Sequence, residues 1–532
     1  MFSGSIRTKK KSVSQLKARR LRVEYLEPRQ MLSGNVTAVL GAGQTLNLTA
    51  LPAADFSDNS IQVWQGPNGG EFWVAGSAGT ATLVNNGTAP VQFTNVKNIF
   101  VSLGPGSDTF QFLSQGGSSG PGVLGGARSE LAANLTIVNS GSGDSNTIQD
   151  VKIDGSLLVT KDGTNGRNDL KIIDSIVIAN TTVANNAGGA NGDSNTTIQG
   201  CQLRGPLTIT NGTGADIVDM EGSTVGSATG LATVIDNGDG GSRVVFTTYA
   251  GTPNASGQTT TTLYGPLVIN SGAGFIGVGI SDTVVFTGTE VKGPVVIASA
   301  SGDSKTVIGN PLPGSNLGSD VAVGGAVTVV RGQGFDSFDM ESSSAKFGLA
   351  ITNGVAGQTD GSVTKIVNSQ VSTYPPPVGT VGLTVIGDDG ADTVTITDSQ
   401  IGNATVLALG NGDNQITLNS TALPNTTRNS LTFLTIVTGD GNDSVTIQKT
   451  DVTVGTDIVL GRGQDTVNVD YQGSATPTVP LSHLLGVVTI NGGDPDPVIG
   501  IPPAPETDLL EFASSVVFGP SSFVSVNVLT SP

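Results

Sequence analysis

One five-residue turn, Gly-x-Gly-x-Asp, recurs along this chain between short apolar stretches. Glycine reaches backbone angles that other residues avoid, and an Asp in a turn can accept hydrogen bonds from the backbone of that turn. The same turn reused between strands predicts a repetitive β-structure. Strict copies lie at 104–108, 212–216, 332–336, 439–443 and 461–465, and looser versions at 141–144, 238–241, 387–392 and 410–413.

The strands themselves also repeat. Three of them open with Gly-Pro, at 205–209, 265–269 and 293–297, where Pro stands at the first positions and its missing N–H harms least. A Gly-rich turn and one or two further short strands follow each opening. Two or three short strands in roughly 20–30 residues are typical of one coil of a parallel β-helix. An array of β-sandwiches is the structural alternative.

The chain has 532 residues, more than one compact core usually holds. A solenoid escapes that limit because each coil buries its apolar face against its neighbours. With 75 Gly and only 5% aromatic residues, the composition favours short strands and tight turns over helices. We therefore expect an all-β fold, an elongated right-handed parallel β-helix with a short basic N-terminal tail.

The N-terminus differs from the rest. Its first 34 residues carry nine Lys or Arg and two Glu, whereas the remainder has a net charge of −25. Residues 26–32, Leu-Glu-Pro-Arg-Gln-Met-Leu, resemble the LEPR-XLL segment of large exported proteins, many from planctomycete-type bacteria, with Met31 where Leu is usual. The resemblance covers residues 19–33 and implies export to the bacterial cell envelope or the extracellular space. A disordered basic tail is the alternative, and no apolar core of a standard secretory signal follows the charges.

Five regions are predicted. They are a basic LEPR-XLL-like sorting segment at 1–33, an N-terminal β-hairpin and cap at 34–90, parallel β-helix repeats at 91–490, a Pro-rich loop or linker at 491–508, and a C-terminal strand or cap at 509–532.

The acidic body should repel nucleic acid and anionic lipid. No stretch approaches the roughly 18 apolar residues of a transmembrane helix, so no transmembrane segment is expected. Glycans or other surface proteins are the partners that remain, and the oligomeric state is left open. Cys201 is the one cysteine, which excludes an intramolecular disulfide.

Calcium is the cofactor that the turns suggest. Residues 439–445 and 461–467 resemble single units of the RTX nonapeptide, G-G-x-G-x-D-x-U-x, and this resemblance implies calcium held by stacked turns. Two features depart from the RTX pattern: the leading double Gly is absent, and successive turns lie 22 or more residues apart instead of about 18. A turn whose Asp bonds its own backbone is the alternative. The candidate ligands are Asp389, Asp392, Asp413, Asp440, Asp443 and Asp465.

Little in the sequence points to catalysis. His483 is the one histidine, has no Asp nearby in sequence and is expected at a strand edge, while Cys201 is expected to be a small buried core residue. Parallel β-helices do host polysaccharide lyases and glycosidases, which use clustered carboxylates. We therefore expect an exported structural or adhesive protein of the cell surface or matrix, with no enzymatic activity. A calcium-binding RTX-like module and a polysaccharide-active enzyme are the alternatives.

Overall fold

The structure is a computed structural model. It describes residues 34–50, 57–114, 127–141, 143–161, 166–185, 192–227, 230–249, 259–273, 282–309, 321–355, 357–372, 382–420, 428–470, 482–492, 509–513, 517–518, 521–524 and 527–531. The chain divides into two units, 1–32 and 33–532, and the description concerns the second. The predicted sorting segment at 1–33 and nearly all of the Pro-rich 491–508 lie outside the described residues.

The N-terminal part of the described chain is a set of short strands joined in hairpins, with one 3-10 turn at Ala42–Gln44. Strand β1 pairs antiparallel with β2, and β4 pairs antiparallel with both β3 and β6. Trp64 of β3 stands opposite Trp73 of β4 in the hairpin that these two strands form. The strands are β1 Asn35–Leu40, β2 Thr45–Ala50, β3 Ser60–Gln65, β4 Phe72–Gly76, β5 Leu83–Val84 and β6 Val91–Phe93.

The remaining strands follow one another in groups of three. The first half comprises β7 Asn98–Ser102, β8 Thr109–Leu113, β9 Ser129–Leu131, β10 Leu135–Asn139, β11 Ser145–Gln149, β12 Val151–Ile153, β13 Leu157–Lys161, β14 Asn168–Ile173, β15 Ile176–Val177, β16 Thr181–Asn185, β17 Ser194–Gln199, β18 Gln202–Leu203, β19 Leu207–Asn211, β20 Asp216–Glu221, β21 Thr224–Val225, β22 Thr233–Asp236, β23 Ser242–Thr247, β24 Thr261–Leu263, β25 Leu267–Ala273, β26 Asp282–Phe286 and β27 Thr289–Val291.

The second half comprises β28 Val295–Ser301, β29 Ser304–Ile308, β30 Ala322–Val323, β31 Val327–Gln333, β32 Asp336–Glu341, β33 Ser344–Ala345, β34 Leu349–Thr352, β35 Ser362–Val367, β36 Gln370–Val371, β37 Leu383–Ile386, β38 Thr393–Thr397, β39 Gln400–Ala408, β40 Gln415–Asn419, β41 Asn429–Val437, β42 Ser444–Ile447, β43 Thr450–Val459, β44 Thr466–Val469, β45 His483–Leu484, β46 Val487–Asn491, β47 Leu509–Ala513, β48 Val517–Phe518, β49 Ser521–Val524 and β50 Asn527–Ser531.

Each group of three strands is one coil, and equivalent strands of successive coils pair in parallel. The first strands form one ladder (β7, β10, β13 and their successors), the second strands another (β8, β11, β14), and the third strands a shorter one (β9, β12, β15). In β39, β41 and β43 the third strand of one coil runs directly into the first strand of the next. The predicted all-β parallel β-helix is confirmed, and the sandwich alternative is wrong because neighbouring strands pair in parallel through three continuous ladders.

In most of the strands whose side chains the structure describes, every second side chain points into the coil interior. Strand β10 shows the alternation: Leu135 and Ile137 are fully buried, whereas Thr136 and Val138 face outward. Because the pairing is in register, Leu135, Leu157 and Thr181 stack on one another through successive coils. This stacking gives a continuous apolar core from Val36 to Leu510. The parallel ladders already include β2 and β3, which pair in parallel with β7 and β8.

Candidate functional site

The four Gly-rich turns at 387–392, 410–414, 439–443 and 461–465 lie on consecutive coils. They are aligned because the strands that follow them, β38, β40, β42 and β44, pair in register. Gly441 and Gly463 have φ angles of +156° and +148°, and a Cβ on Gly463 would lie 1.7 Å from the carbonyl oxygen of Gly441. Glycine is therefore required at this turn both by its backbone angle and by the turn stacked beneath it.

Three of the six predicted calcium ligands, Asp392, Asp443 and Asp465, share one buried column with Asn414. The backbone N–H of each residue donates to the side-chain Oδ1 of the residue one coil later: Asp392 to Asn414 at 3.0 Å, Asn414 to Asp443 at 2.9 Å, and Asp443 to Asp465 at 2.8 Å. These bonds join neighbouring turns, and bonds within one turn, which the sequence alternative expects, are present beside them. The N–H of Gly390 donates to Asp388 Oδ1 at 2.7 Å, and the backbone of Asp388 bonds to the Asp392 carboxylate. Each carboxylate thus joins two coils.

The other three predicted ligands, Asp389, Asp413 and Asp440, lie on the exposed side of the same turns. Asp389 and Asp440 align with Asn411 between them: Asp389 Oδ1 accepts from Asn411 Nδ2 at 2.8 Å, and Asn411 Oδ1 accepts from the N–H of Asp440 at 2.8 Å. Asp413 belongs to a separate column, where its Oδ1 accepts from the N–H of Asn442 at 2.8 Å. The six candidates are therefore split between a buried set and an exposed set.

Within the described part of the chain, no group of three or more His, Cys, Asp or Glu side chains is placed to hold a metal ion. The exposed columns still present carboxylate and amide oxygens of the type that Ca²⁺ prefers. Calcium binding at Asp389, Asp413 or Asp440 stays a prediction.

The buried column is far longer than the cluster that the sequence singled out. We call the whole set, including Asp392, Asn414, Asp443 and Asp465, the turn column. It contains the Asp of every strict turn, and Ser or Asn occupies many of the coils between them. Its other members, all buried, are Asn59, Asp108, Asp144, Asn168, Ser194, Asp216, Ser242, Asp282, Ser304, Asp336 and Ser362.

Serine hydroxyls pair with these carboxylates. Ser194 Oγ donates to Asp216 Oδ1 at 2.6 Å, and Ser242 Oγ donates to Asp282 Oδ1 at 2.9 Å. The same oxygens also accept from the backbone N–H of the two serines, at 3.0 Å in both cases. The turn motif does not identify these serines, because it is defined by an Asp at the position that Ser194 and Ser242 occupy. A polar residue at the first position of each second strand, or immediately before it, is the signal that identifies them.

Burial changes the protonation of the turn column. It raises the pKa of Asp108 and Asp216 to about 7 and that of Asp282, Asp336 and Asp392 to about 6, against 3.8 for an unperturbed Asp. The Oδ2 atoms of Asp216 and Asp282 are buried without a hydrogen-bond partner. A buried carboxylate oxygen that no donor contacts disfavours the charged form.

Two cations are buried beside this column. Lys161 is fully buried and donates to the carbonyl of Gly166. Burial raises the pKa of Asp144, and the positive charge of Lys161 opposes that rise with a smaller effect. Arg331 donates to Asn353 Oδ1 at 3.2 Å and to the carbonyl of Ser337 at 2.9 Å. Burial lowers the pKa of the Arg331 guanidinium to about 10. Both side chains are held by groups of the solenoid interior.

Cys201 lies in a second polar column, at the corner between the second and third strands. Its N–H donates to Ser223 Oγ at 3.0 Å, and its thiol contacts the carbonyl of Gln199 at 3.2 Å. Ser175 holds the equivalent position one coil earlier, where its hydroxyl accepts from Val151. The thiol is fully buried, which raises its pKa to about 12. The prediction of a small buried residue is confirmed, and the ladder explains why a serine-like side chain stands there.

His483 has charged neighbours that its sequence context does not show. Its Nδ1 lies 2.9 Å from Asp451 Oδ1, because β45 pairs with β43 of the preceding coil. Arg428 contacts the same oxygen at 2.7 Å. All three side chains are partly exposed, with Arg428 at 25%, Asp451 at 30% and His483 at 43%. We call them the Arg–Asp–His cluster. No Asp lies near His483 along the sequence, and its acidic neighbour comes from the preceding coil.

A groove of about 210 Å³ crosses the third-strand ladder from β27 to β36. Its floor consists of small side chains, including Ala322 and Ser344. Lys292 and Lys346 border it; the first is paired with Glu290, and the ammonium of the second lies 5.4 Å from the ring centre of Phe347. Such a groove can offer ammonium donors to the oxygens of a polar or anionic ligand.

None of the described residues forms a helix long and apolar enough to cross a membrane. No protein-family model matches the chain, and it has no significant match among curated proteins or solved structures.

Proposed function

We propose that this chain is an exported structural or adhesive protein of the bacterial cell surface or extracellular matrix and that it acts without catalysis. The observation that supports the proposal is the use of the repeated turn carboxylates. Asp443 and Asp465 accept hydrogen bonds from the backbone of the preceding coil, so the most repeated polar motif of the sequence links coil to coil. A protein whose recurrent motif serves stacking is suited to a mechanical role.

Export is the part of the proposal that depends on the N-terminal resemblance. The LEPR-XLL-like residues Leu26, Glu27, Pro28 and Arg29 precede a body of strongly negative charge. That charge argues against nucleic acid as a partner and favours neutral glycans or other surface proteins.

Localisation of the full chain in its own bacterium tests this function. We expect an antibody against the β-helix to label intact cells or the secreted matrix, and a brief protease treatment of intact cells to remove the label. A matched strain in which residues 26–29 are replaced by alanine should retain the chain inside the cell. The proposal is overturned by finding the unaltered chain in the cytosol.

Calcium binding is a second candidate, favoured by the exposed oxygen columns around Asp389, Asn411 and Asp413. If ions bind there, millimolar Ca²⁺ should raise the melting temperature of the full chain, and EGTA should reverse the rise. The double variant Asp389→Ala/Asp413→Ala should abolish the response. A melting temperature that is the same in Ca²⁺ and EGTA excludes this candidate.

Polysaccharide cleavage is a third candidate, favoured by the Arg–Asp–His cluster, because a carboxylate and two basic groups from different coils meet there at the surface. The test is turnover of a panel of neutral and acidic glycans by the wild-type chain and by Asp451→Asn. Turnover that this substitution abolishes would support an enzyme and contradict the non-catalytic role. Absence of turnover across the panel removes this candidate.

A further inference from the structure

The outer surface of the first-strand ladder differs in charge from the rest of the molecule. Its outward side chains occupy two columns, those aligned with Thr136 and with Val138 of β10. We call this surface, from β7 to β46, the first-strand face. Among its described residues, Asp236 and Asp457 are the charged ones, and the other positions hold mainly Thr, Val and Ala. A surface with so few charged side chains is unusual in a chain whose net charge is −18.

The other two ladders carry many charges on their outer sides. On the second strands, Asp219 and Arg243 form an ion pair at 3.2 Å between neighbouring coils. On the third strands, Lys152 pairs with Asp154 at 3.0 Å and lies 3.9 Å from Glu130. The scarcity of charge on the first-strand face is therefore a property of that face and not of the whole solenoid.

Several apolar side chains of the first-strand face are exposed to solvent. Val330 is 44% exposed, Ile386 42% and Val437 40%, and all three belong to the column of Val138. At the border of the face, Phe433 packs its ring over Gly455, and both Phe433 (44%) and Val487 (65%) remain exposed. Exposed apolar side chains collected on one surface mark an interaction site.

Proline lies at the border of the face, where several of the first strands begin. Pro206, Pro266 and Pro294 stand there, and their carbonyls accept from Thr181, Thr233 and Leu267 of the adjacent coils. A proline lacks only the N–H, so the ladder stays intact while the added side chain is short and rigid. Small and β-branched side chains on a pleated surface allow a second sheet to approach to about 10 Å.

We propose that the first-strand face is the surface through which two copies of this chain pair, sheet against sheet. The ladder from β7 to β46 contains fifteen strands. At about 4.8 Å between strands and about 3.3 Å per residue, it presents roughly 1,000 Å². A stable protein interface needs about 800 Å² from each partner.

The net negative charge of the chain also favours pairing of two copies through this face. Two copies of an acidic chain repel each other, and contact through the first-strand face brings the fewest carboxylates together. A symmetric dimer also uses the same patch on both copies, so a surface with few charges can face its own copy without strong repulsion. The pairing goes beyond the proposed function, because it follows from the surface whatever the protein does in the cell.

Sedimentation equilibrium of the full chain between about 1 and 100 µM tests the proposal. The wild type should be dimeric, and its association should strengthen from 0.15 to 0.5 M NaCl, since salt screens the net negative charge. The variant Thr384→Glu/Thr435→Glu places two carboxylates on the first-strand face. Its dissociation constant should rise at least ten-fold, because these charges would be buried against like charges.

The matched control is Thr395→Glu/Thr446→Glu, which makes the same changes on the second strands of the same two coils. It should dimerise as the wild type does. Equal effects of the two double variants would overturn the proposal, and so would a monomeric wild type over the whole range. The monomeric outcome needs no variant, so the proposal stays falsifiable even where a variant misfolds.

Binding to microcrystalline cellulose or chitin separates this proposal from its competitor. A monomeric chain that binds such a polysaccharide, and loses binding in Thr384→Glu/Thr435→Glu but not in the control, would assign the face to glycans and overturn the dimer. Neither result decides the question of export, which the localisation experiment addresses separately.

Discussion

The Asp465 carboxylate accepts a hydrogen bond from the backbone N–H of Asp443 at 2.8 Å, across the gap between two successive coils. Asp443 in turn accepts from the N–H of Asn414 on the coil before it, at 2.9 Å. These backbone groups are buried, so water cannot replace a lost side-chain partner. The stability of each turn therefore depends on the side chain of its neighbour.

Replacing Asp443 with alanine should destabilise the solenoid by about 1–3 kcal/mol, because the buried N–H of Asn414 loses its acceptor. The measurement is urea denaturation, together with hydrogen exchange of the amides in turn 410–414, since repeat proteins can open locally.

The control for this experiment is Asp440→Ala in the same turn, at an exposed position. Surface substitutions of this kind usually change stability by no more than about 0.5 kcal/mol. If both variants lose the same stability, the buried bond between coils is not what the turn Asp contributes.

Gly463→Ala should be more damaging than the substitution of a glycine whose surroundings are open. Its new Cβ would lie 1.7 Å from the carbonyl oxygen of Gly441, in addition to adopting a φ of +148°. Gly79 has a φ of +82° and no neighbouring atom within 4 Å of an added Cβ, so Gly79→Ala isolates the backbone strain. We expect about 1 kcal/mol for Gly79→Ala and at least twice that for Gly463→Ala.

Thermal melts of the two glycine variants, followed by circular dichroism, provide the comparison. Equal losses would show that turn stacking imposes no steric requirement beyond the backbone angle.

The fold was predictable from the sequence because its signals are local. The Gly-x-Gly-x-Asp turn and the short apolar strands identify the repeat without knowledge of which residues meet. Which side chains contact one another was less predictable, because the number of residues between equivalent positions differs from coil to coil. Stacked residues of the turn column lie 22 positions apart from Asp443 to Asp465 but 40 apart from Ser242 to Asp282.

The same variability hid the neighbours of His483. Asp451 precedes it by 32 positions and meets it only through the pairing of β43 with β45. Within the candidate site, the sequence identified the turn aspartates but not which of them are buried. Asp440 and Asp443 belong to one turn, and the inward direction of Asp443 is set by the alternation of β42, which begins at the next residue.

Cys201 should be unreactive in the native chain, because its thiol is fully buried and burial raises its pKa to about 12. A thiol reagent added at pH 8 should modify it only after unfolding.

Cys201→Ser should fold with a melting temperature within a few degrees of the wild type, since Ser175 and Ser223 hold the adjacent positions of the column. Cys201→Leu is the contrast, and its larger side chain should destabilise the packed corner. Rapid native modification, or a severe loss in the serine variant, would contradict this account.

Stability should fall as pH rises from about 4 to about 8. Burial raises the pKa of Asp216 to about 7 and that of Asp282 to about 6, whereas in the unfolded chain both titrate near 3.8. The folded state therefore holds more protons across this interval. Its free energy of unfolding gains most from these groups below pH 4 and loses that gain as pH rises through 6 and 7.

The double variant Asp216→Asn/Asp282→Asn tests this cause. Asparagine keeps the Oδ1 that accepts from Ser194 and Ser242 and cannot ionise, and Asn414 already serves in the same column. Melting temperatures at pH 5 and pH 8 give the readout. The variant should match the wild type at pH 5 and exceed it at pH 8, so its melting temperature should depend less on pH. A wild-type chain that becomes more stable between pH 5 and pH 8, with the variant following the same curve, would show that these carboxyls do not control the pH dependence.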